Sequence, residues 1–354
     1  MDVADLARGV IAGDRRALSR AITLVESGRA DHRTQAAELM SLITAKGRQA
    51  LRIGLSGAPG VGKSSFIESF GLMLTGQGLR VAVLAVDPSS RHSGGSILGD
   101  KTRMERLTRD PHTFIRPSPS QAHLGGVARR SREAVALAEA AGFDVVLIET
   151  VGVGQSEVLV ADLCDIFVLL IAPAGGDELQ GVKRGIVEMA DLILVNKADG
   201  ALHPAALGTT ADYSGALRLL RRRPQDPPDF PKAMPVSALE STGLPEAWSQ
   251  MQALATFRRE TGHWQPIRAH QMRQAFEAEL RQQLLAVLET PAAKAEIQRL
   301  GQSVSEARLT PESAARALLA ALAPSPSSVH KYPTGGVGGV NPPTRAPEKP
   351  TDPA

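Results

Sequence analysis

The 354-residue sequence contains a single cysteine, Cys164, and only 3% aromatic residues. One thiol excludes an intramolecular disulfide framework and any metal site that needs several cysteines of the same chain. Because aromatic side chains are scarce, the core has to be built mainly from leucine, valine, isoleucine, alanine and methionine. Cys164 begins a mostly apolar run that extends to Ala172, which favours a buried thiol acting as a small hydrophobic side chain.

The sequence also lacks a strong charge excess, since 40 basic residues against 37 acidic ones leave a formal net charge of +3. Two arginine clusters, at 129–132 and 221–223, lack the interleaved aromatic residues of single-strand nucleic-acid binders. No run reaches the ~18–20 apolar residues that span a membrane, and the acidic N-terminus does not resemble a secretory signal. We therefore expect a cytoplasmic protein that binds neither nucleic acid nor membrane.

Apolar periodicity separates helical ends from a mixed central region. Residues 3–49 carry apolar side chains at three- and four-residue spacings, which predicts helices with a break near Gly28. From Leu51 onward, helical patterns alternate with short apolar runs at 53–56, 81–86, 145–148, 166–171 and 192–195. Such runs are typical of strands buried on both faces. The sequence thus predicts an α/β fold with a mostly parallel central sheet flanked by helices.

Changes in composition predict four segments along the chain. An N-terminal helical extension covers residues 1–49, and the α/β domain covers residues 50–245. Helical patterns return over 246–323, where the amphipathic stretch 265–289 suits either packing on the domain or self-association into a homodimer. The tail, residues 324–354, is rich in proline, glycine and serine, and we expect it to be disordered because it buries too little apolar surface.

Residues 57–64, Gly-Ala-Pro-Gly-Val-Gly-Lys-Ser, have the spacing of a phosphate-binding P-loop between a predicted strand and a predicted helix. The glycines let backbone N–H groups point at phosphates, and the helix N-terminus adds partial positive charge. We expect Lys63 to reach the β- and γ-phosphates and the Ser64 hydroxyl to coordinate Mg²⁺. The predicted nucleotide contacts of the loop are Gly57, Ala58, Pro59, Gly60, Val61, Gly62, Lys63, Ser64 and Ser65.

Two acidic residues, Asp87 and Glu149, directly follow predicted strands. Ligands of open α/β sheets bind beyond the carboxyl ends of the strands, so both carboxylates are expected beside the phosphates, where they would orient the waters of Mg²⁺. The N–H group of Gly152 is expected to contact the γ-phosphate. Val153 stands where Ras-type GTPases carry a water-positioning glutamine, which predicts slow intrinsic hydrolysis that rises when a partner reorders the loops.

The tetrapeptide Asn196-Lys197-Ala198-Asp199 follows another predicted strand. A carboxylate at Asp199 can accept hydrogen bonds from the guanine ring N–H and the exocyclic amine, a donor pair that adenine lacks. We expect the aliphatic stem of Lys197 to lie along the base and Asn196 to tie its own loop to the P-loop. This element favours guanine over adenine.

A further short element, residues 235–239, lies downstream. Backbone N–H groups around Ser237 and Ala238, with Leu239 next to them, are suited to the guanine O6. A lone Asn-Lys-x-Asp is usually just a polar turn, so the inference depends on finding three elements in this order. The sequence predicts a site for GTP and GDP with Mg²⁺.

Five segments extend this pattern: GAPGVGKSS at 57–65, VDPSSRHSGGSILGDKTRM at 86–104, ETVGVGQSE at 149–157, PAGGDELQGVKRG at 173–185 and NKAD at 196–199. Together they resemble the methylmalonyl-CoA mutase-associated GTPases, the MeaB or ArgK family. The resemblance implies a P-loop NTPase fold and a homodimer with N-terminal and C-terminal helical extensions. It further implies a GTPase chaperone that gates adenosylcobalamin loading and protects or reactivates its partner, a B12-dependent acyl-CoA mutase.

The resemblance also implies roles that the spacing alone does not give. Residues 88–104 resemble a first switch, 152–157 a second, and 174–185 an additional switch that communicates with the mutase. The expected catalytic residues are Lys63, Asp87, Asp100, Glu149 and Gly152. The expected metal-site residues are Ser64, Asp87, Asp100 and Glu149.

Two other functions fit parts of the pattern. An older family name suggests a kinase for a lysine/arginine/ornithine transport protein, but kinases mostly use ATP, which the Asn-Lys-x-Asp element disfavours. A metal-inserting GTPase would need clustered cysteine or histidine ligands, whereas the eight histidines are scattered along the sequence.

Overall fold

The structure is a computed structural model that describes residues 2–44, 47–86, 104–116, 124–150, 156–173 and 184–322. The chain divides into two compact units, residues 1–282 and residues 283–354. The first unit holds a sheet and the helices around it. The four-segment division drawn from composition stays a prediction, and the tail from residue 324 onward lies outside the described residues.

One sheet organises the first unit. Its strands are β1 (Leu51–Gly57), β2 (Val81–Val86), β3 (Thr113–Arg116), β4 (Val145–Thr150), β5 (Ile166–Ile171), β6 (Leu192–Val195) and β7 (Lys232–Pro235). They pair in parallel in the spatial order β3-β2-β4-β1-β5-β6-β7. The predicted parallel sheet is confirmed. Because β1 is the middle strand, the loop that follows it lies at the middle of the carboxyl edge of the sheet.

Two of the strands were not predicted from the sequence, and both lie at the ends of the sheet. β3 and β7 are four residues long, and every residue of β7 is only partly buried. An edge strand of this length, with Lys232 at its start and Pro235 at its end, carries no continuous apolar run. Hydrophobic patterning therefore does not reveal it.

The helices in the described ranges flank both faces of the sheet or follow it. They are α1 (Val3–Ile11), α2 (Arg15–Glu26), α3 (Ala30–Thr44), α4 (Lys63–Gly76), α5 (Glu105–Arg109), α6 (Leu124–Ala140), α7 (Ser156–Ala161), α8 (Arg184–Met189), α9 (His203–Arg218), α10 (Leu244–Glu260), α11 (Trp264–Leu288), α12 (Pro291–Ser305) and α13 (Pro311–Leu322). The predicted break near Gly28 falls between α2 and α3. The sequence did not predict α12. None of the helices in these ranges is long and apolar enough to cross a membrane.

The core has two layers because successive residues of a strand point to opposite faces. In β2, Val81 and Val83 belong to one apolar cluster, whereas Ala82 and Leu84 belong to the other. The first cluster includes side chains of α4 and α10, and the second includes side chains of α1, α2, α3 and α6. Both layers contain aromatic residues, and in the first layer Phe70 packs edge-on against Trp248 at a centroid distance of 6.0 Å.

A buried ionic network lies near the amino ends of the strands. The Arg258 guanidinium contacts the carboxylates of Asp191 at 2.7 Å and Asp226 at 2.6 Å. Arg268 contacts Asp165 at 2.6 Å. Arg258 is only 4% exposed, and the two carboxylates raise the pKa of its guanidinium against the opposing effect of burial. Helices α10 and α11 are thus tied by charge-assisted hydrogen bonds to the segments that precede β5 and β6.

Candidate nucleotide-binding site

The P-loop segment turns at the carboxyl edge of the sheet, between β1 and α4. Gly62, directly before α4, has a φ of 91°, a left-handed conformation that glycine adopts at little cost. A Cβ atom on Gly57 would lie 2.4 Å from the carbonyl oxygen of Leu170 in β5, a distance that excludes any side chain. These two glycines let the loop pass close to β5, with Ala58, Pro59 and Gly60 exposed at its tip.

The ammonium group of Lys63 folds back into this loop. Its Nζ donates hydrogen bonds to the carbonyl oxygens of Gly57 at 2.7 Å and Ala58 at 3.2 Å. Burial lowers the pKa of Lys63, while Glu149 and Glu157 act in the opposite direction. A desolvated cation beside the N-terminus of a helix is a favourable place for an anion, because the anion restores the stabilisation that water no longer supplies.

Ser64 and Ser65 follow in the first turn of α4, where Ser64 is partly buried and Ser65 is exposed. Glu149 lies opposite Leu55 of β1 in the sheet register and is 6% exposed. β4 ends one residue later, so Glu149 lies at the carboxyl edge of the sheet, and its charge opposes the lowering of the Lys63 pKa by burial. The next residue, Thr150, donates its hydroxyl to Ser56 of β1 at 3.2 Å and fixes the end of β4 against the start of the P-loop.

Several predicted site residues lie outside the described residues, and their roles stay predictions. These are Asp87, Asp100 and Gly152, together with Val153 and the switch segments 88–103, 152–155 and 174–183. Within the ranges that are described, no group of three or more histidine, cysteine, aspartate or glutamate side chains is arranged to hold a metal ion.

Asn196 connects three loops at the carboxyl edge. Its Nδ2 donates to the carbonyl oxygen of Val61 at 2.9 Å, and its Oδ1 accepts from the N–H of Ala238 at 3.1 Å. The side chain is 1% exposed. The tie between this loop and the P-loop is present as expected, and it continues to the segment after β7. The P-loop, the loop after β6 and the segment after β7 are therefore held in one hydrogen-bonded unit.

Lys197 and Asp199 extend from the same loop. Lys197 has a φ of 61°, unusual for a residue with a side chain, and its Nζ donates to the carbonyl oxygen of Gly60 at 2.8 Å. Its stem therefore reaches to the tip of the P-loop. The partly buried Asp199 accepts a hydrogen bond from the hydroxyl of the buried Ser237. Ser237 also accepts from the N–H of Glu240 at 3.0 Å, which holds the hydroxyl in place.

The structure changes one detail of the expected O6 contacts. The N–H of Ser237 donates to the carbonyl of Thr242 at 2.9 Å, and that of Ala238 donates to Asn196. The N–H of Leu239 donates to no described residue, and the Leu239 side chain is 85% exposed. Sequence reasoning also missed Ser69 of α4, whose hydroxyl donates to the carbonyl of Ala238 at 2.6 Å. A single serine on a helix gives no pattern that would identify it.

The chain is similar to known GTPases along most of its length. The family model for "Methylmalonyl Co-A mutase-associated GTPase MeaB" matches residues 18–293. A Caulobacter vibrioides relative, also named as a GTPase, is 50% identical over 323 residues, which are 91% of this chain and 98% of the relative. The Escherichia coli GTPase ArgK is 46% identical over 269 residues, 76% of this chain and 81% of that protein.

Two further similarities concern a mouse protein and a solved structure. The mouse "Methylmalonic aciduria type A homolog, mitochondrial" is 53% identical over 253 residues, 69% of this chain and 60% of the mouse protein. The crystal structure of a LAO/AO transport system kinase has a TM-score of 0.70 and 34% identity, covering 90% of this chain and 97% of that one. This chain has the P-loop NTPase fold, and it belongs to the methylmalonyl-CoA mutase-associated GTPase (MeaB) family.

Proposed function

We propose that this GTPase uses GTP binding and hydrolysis to gate adenosylcobalamin loading into an acyl-CoA mutase, and that it protects or reactivates that mutase. The family description and the name of the mouse relative support a methylmalonyl-CoA mutase as the partner. The observation that carries the nucleotide part is the Asn196 bridge between Val61 and Ala238. It joins the phosphate-binding loop to the base-binding loops, as a site for one whole nucleotide requires.

The P-loop would hold the β- and γ-phosphates. Lys63 would exchange its hydrogen bonds to the Gly57 and Ala58 carbonyls for phosphate oxygens, which restore the stabilisation that burial removes. During hydrolysis the same ammonium group would stabilise negative charge that develops on the leaving phosphate.

Magnesium would be held by the Ser64 hydroxyl and phosphate oxygens, with Glu149 hydrogen-bonding water molecules around it. The described residues fit this arrangement because hydroxyl and carboxylate oxygens are the ligands that Mg²⁺ prefers, and Glu149 lies close enough to Lys63 to raise the pKa of that ammonium group against the effect of burial. When bound, the ion supplies neutralisation of the phosphate charge. Asp87 and Asp100 are proposed to complete this environment.

The guanine base would lie between the Lys197 stem and the segment around Leu239. The Asp199 carboxylate would accept the guanine N–H and amine hydrogens, and the N–H of Leu239 is the available donor for O6. Because Ser237 already hydrogen-bonds to Asp199, the carboxylate is oriented before the base arrives. This preorganisation reduces the entropy lost on binding.

The substitution Asp199→Asn tests the base assignment. An asparagine amide would offer a donor where the guanine amine needs an acceptor, so GTP affinity should fall at least about 100-fold. Xanthosine triphosphate, which carries a carbonyl in place of the amine, should bind the variant more tightly than the wild type. Isothermal titration calorimetry measures both affinities, with Asp212→Asn on the exposed face of α9 as the matched control. Unchanged GTP affinity, or no gain for xanthosine triphosphate, would contradict the assignment.

The chaperone role is tested with a purified acyl-CoA mutase and its adenosylcobalamin. We expect cofactor transfer to the mutase to differ between GTP, a non-hydrolysable GTP analogue and GDP, because the nucleotide state decides which loop arrangement is populated. Without mutase, single-turnover hydrolysis should stay below about 1 s⁻¹. Transfer that is indifferent to the nucleotide would remove the support for gating while leaving GTP binding intact.

A second candidate is a nucleotide-dependent kinase, because the related crystal structure carries the name of a LAO/AO transport system kinase. Calorimetry with ATP separates the two functions. A kinase that uses ATP should bind it tightly in the same site, whereas the Asp199 carboxylate predicts rejection of adenine.

A further inference from the structure

A cavity of about 520 Å³ lies in the first unit, at the amino ends of the strands and opposite the P-loop edge. Gln49 and Arg52 line it where β1 begins, whereas the nucleotide site lies where β1 ends. Helices α3, α6 and α11 supply most of its walls. No lining residue belongs to the nucleotide site, so the proposed function leaves this cavity unexplained. We call it the amino-edge cavity.

Much of the wall of the amino-edge cavity is apolar. The apolar side chains come from each enclosing helix and from the segment after α7: Met40, Ile43, Val135, Ala136, Leu163 and Met272. Small-molecule sites typically occupy 300–1,000 Å³ and combine a largely apolar wall with a few polar groups that fix orientation. The volume and wall therefore suit the hydrocarbon body of a small organic molecule.

Several buried polar atoms of the cavity wall have no hydrogen-bond partner in the described part of the chain. Arg129 Nε is buried without a hydrogen-bond partner among the described residues, and it lies 3.9 Å from Glu279 Oε2. Glu133 Oε2 lies 3.5 Å from Arg33 Nη1, again as an ion pair without a hydrogen bond. Gln271 Oε1 is buried without a partner in the described part of the chain. A buried donor in this condition is costly, and an acceptor oxygen of a bound molecule would satisfy Arg129 Nε.

Arg132 is the cationic group best placed to receive a ligand. It lines the cavity, and its guanidinium makes no hydrogen bond to a described residue. Burial lowers its pKa despite the nearby carboxylates of Glu279, Glu133 and Asp162, so these acids do not compensate the lost hydration. By contrast, Arg52 in the same wall is satisfied by Glu139 at 2.7 Å.

We propose that the amino-edge cavity binds a small organic carboxylate, whose anionic group contacts Arg132 and Arg129 and whose apolar body lies between α3, α6 and α11. A planar carboxylate matches the two parallel N–H groups of a guanidinium. A phosphate dianion fits less well, because the carboxyl groups of Glu279, Glu133 and Asp162 lie next to the arginines and would repel a second negative charge.

Calorimetric titration of the full-length protein with acetate, butanoate, hexanoate and inorganic phosphate tests the proposal. Saturable one-to-one binding of hexanoate is expected, with affinity rising about fourfold for each buried methylene group. Absence of saturable hexanoate binding up to about 10 mM would overturn the proposal. So would hexanoate binding no tighter than acetate, or phosphate binding more tightly than hexanoate, which would show recognition of charge alone.

Two variants connect binding to this cavity. Arg132→Gln should weaken hexanoate at least about tenfold, since a hydrogen bond to a charged group is lost. Ala136→Phe should abolish binding by filling the cavity, and the exposed Arg221→Gln is the matched control that should bind as the wild type does. GTP affinity is measured on each variant as a control for folding. We expect it to equal that of the wild type. Wild-type hexanoate affinity in both cavity variants refutes the assignment without affecting the proposed GTPase function.

Discussion

Replacing Gly62 with alanine tests whether the phosphate and base sides of the site are joined through Asn196. A Cβ atom on Gly62 would lie 2.7 Å from Asn196 Nδ2, closer than real Cβ contacts, so the amide has to move. Gly78, after α4, provides the matched control. Its φ of 82° is close to the 91° of Gly62, but a Cβ there would meet nothing within 4 Å. Gly78→Ala therefore isolates the backbone cost of the substitution.

The structure sets the expected magnitudes. A left-handed alanine costs about 1 kcal/mol in either variant. In Gly62→Ala, the displaced Asn196 also loses its hydrogen bonds with the Val61 carbonyl at 2.9 Å and the Ala238 N–H at 3.1 Å. Each such bond contributes about 1 kcal/mol, so Gly62→Ala should lose about 3 kcal/mol of unfolding free energy and Gly78→Ala about 1 kcal/mol.

Urea unfolding of the nucleotide-free protein measures these differences, and a double variant makes the test sharper. In an Asn196→Ala background, Gly62→Ala should cost only the backbone term of about 1 kcal/mol, because the bridge is already lost. GTP affinity should fall in Gly62→Ala and stay unchanged in Gly78→Ala. Equal destabilisation by the two glycine substitutions, or full additivity with Asn196→Ala, would refute the reasoning.

Three further predictions concern buried charges and the thiol. Arg258→Met should lower the unfolding free energy in urea by about 3 kcal/mol, because it removes a buried cation from Asp191 and Asp226 and leaves only the more exposed Arg223 beside them. Arg109→Met, which removes an exposed pair, should cost at most about 1 kcal/mol. Burial raises the pKa of Glu133 from 4.5 to about 7, so the folded state holds this proton more tightly than the unfolded chain does. The stabilisation by protonated Glu133 is therefore complete below pH 4.5 and is lost as the pH rises to about 7. In thermal melts, the melting temperature should fall less between pH 5 and pH 8 in Glu133→Gln than in the wild type. Burial also raises the pKa of Cys164, so a thiol reagent should label it only after unfolding, and rapid labelling of the native protein would contradict its buried position.

The sequence by itself determined the sheet class, the location of the P-loop and the family, whereas base recognition by the loop after β6 stays a prediction. These features depend on local signals, namely continuous apolar runs at strands such as β4 and β5 and glycines spaced around a lysine. The tie between Asn196 and the P-loop followed from the same logic, because both segments leave the carboxyl ends of parallel strands.

Only the tertiary structure decided which polar groups find partners. It showed that the Ala238 N–H is already used by Asn196 and that Ser69 reaches the Ala238 carbonyl. It also brought Arg258 against Asp191, 67 positions away, and left Arg132 open to the amino-edge cavity. Such pairings leave no periodic trace in the sequence, because the burial and partners of a charge depend on segments that meet only after the chain has folded.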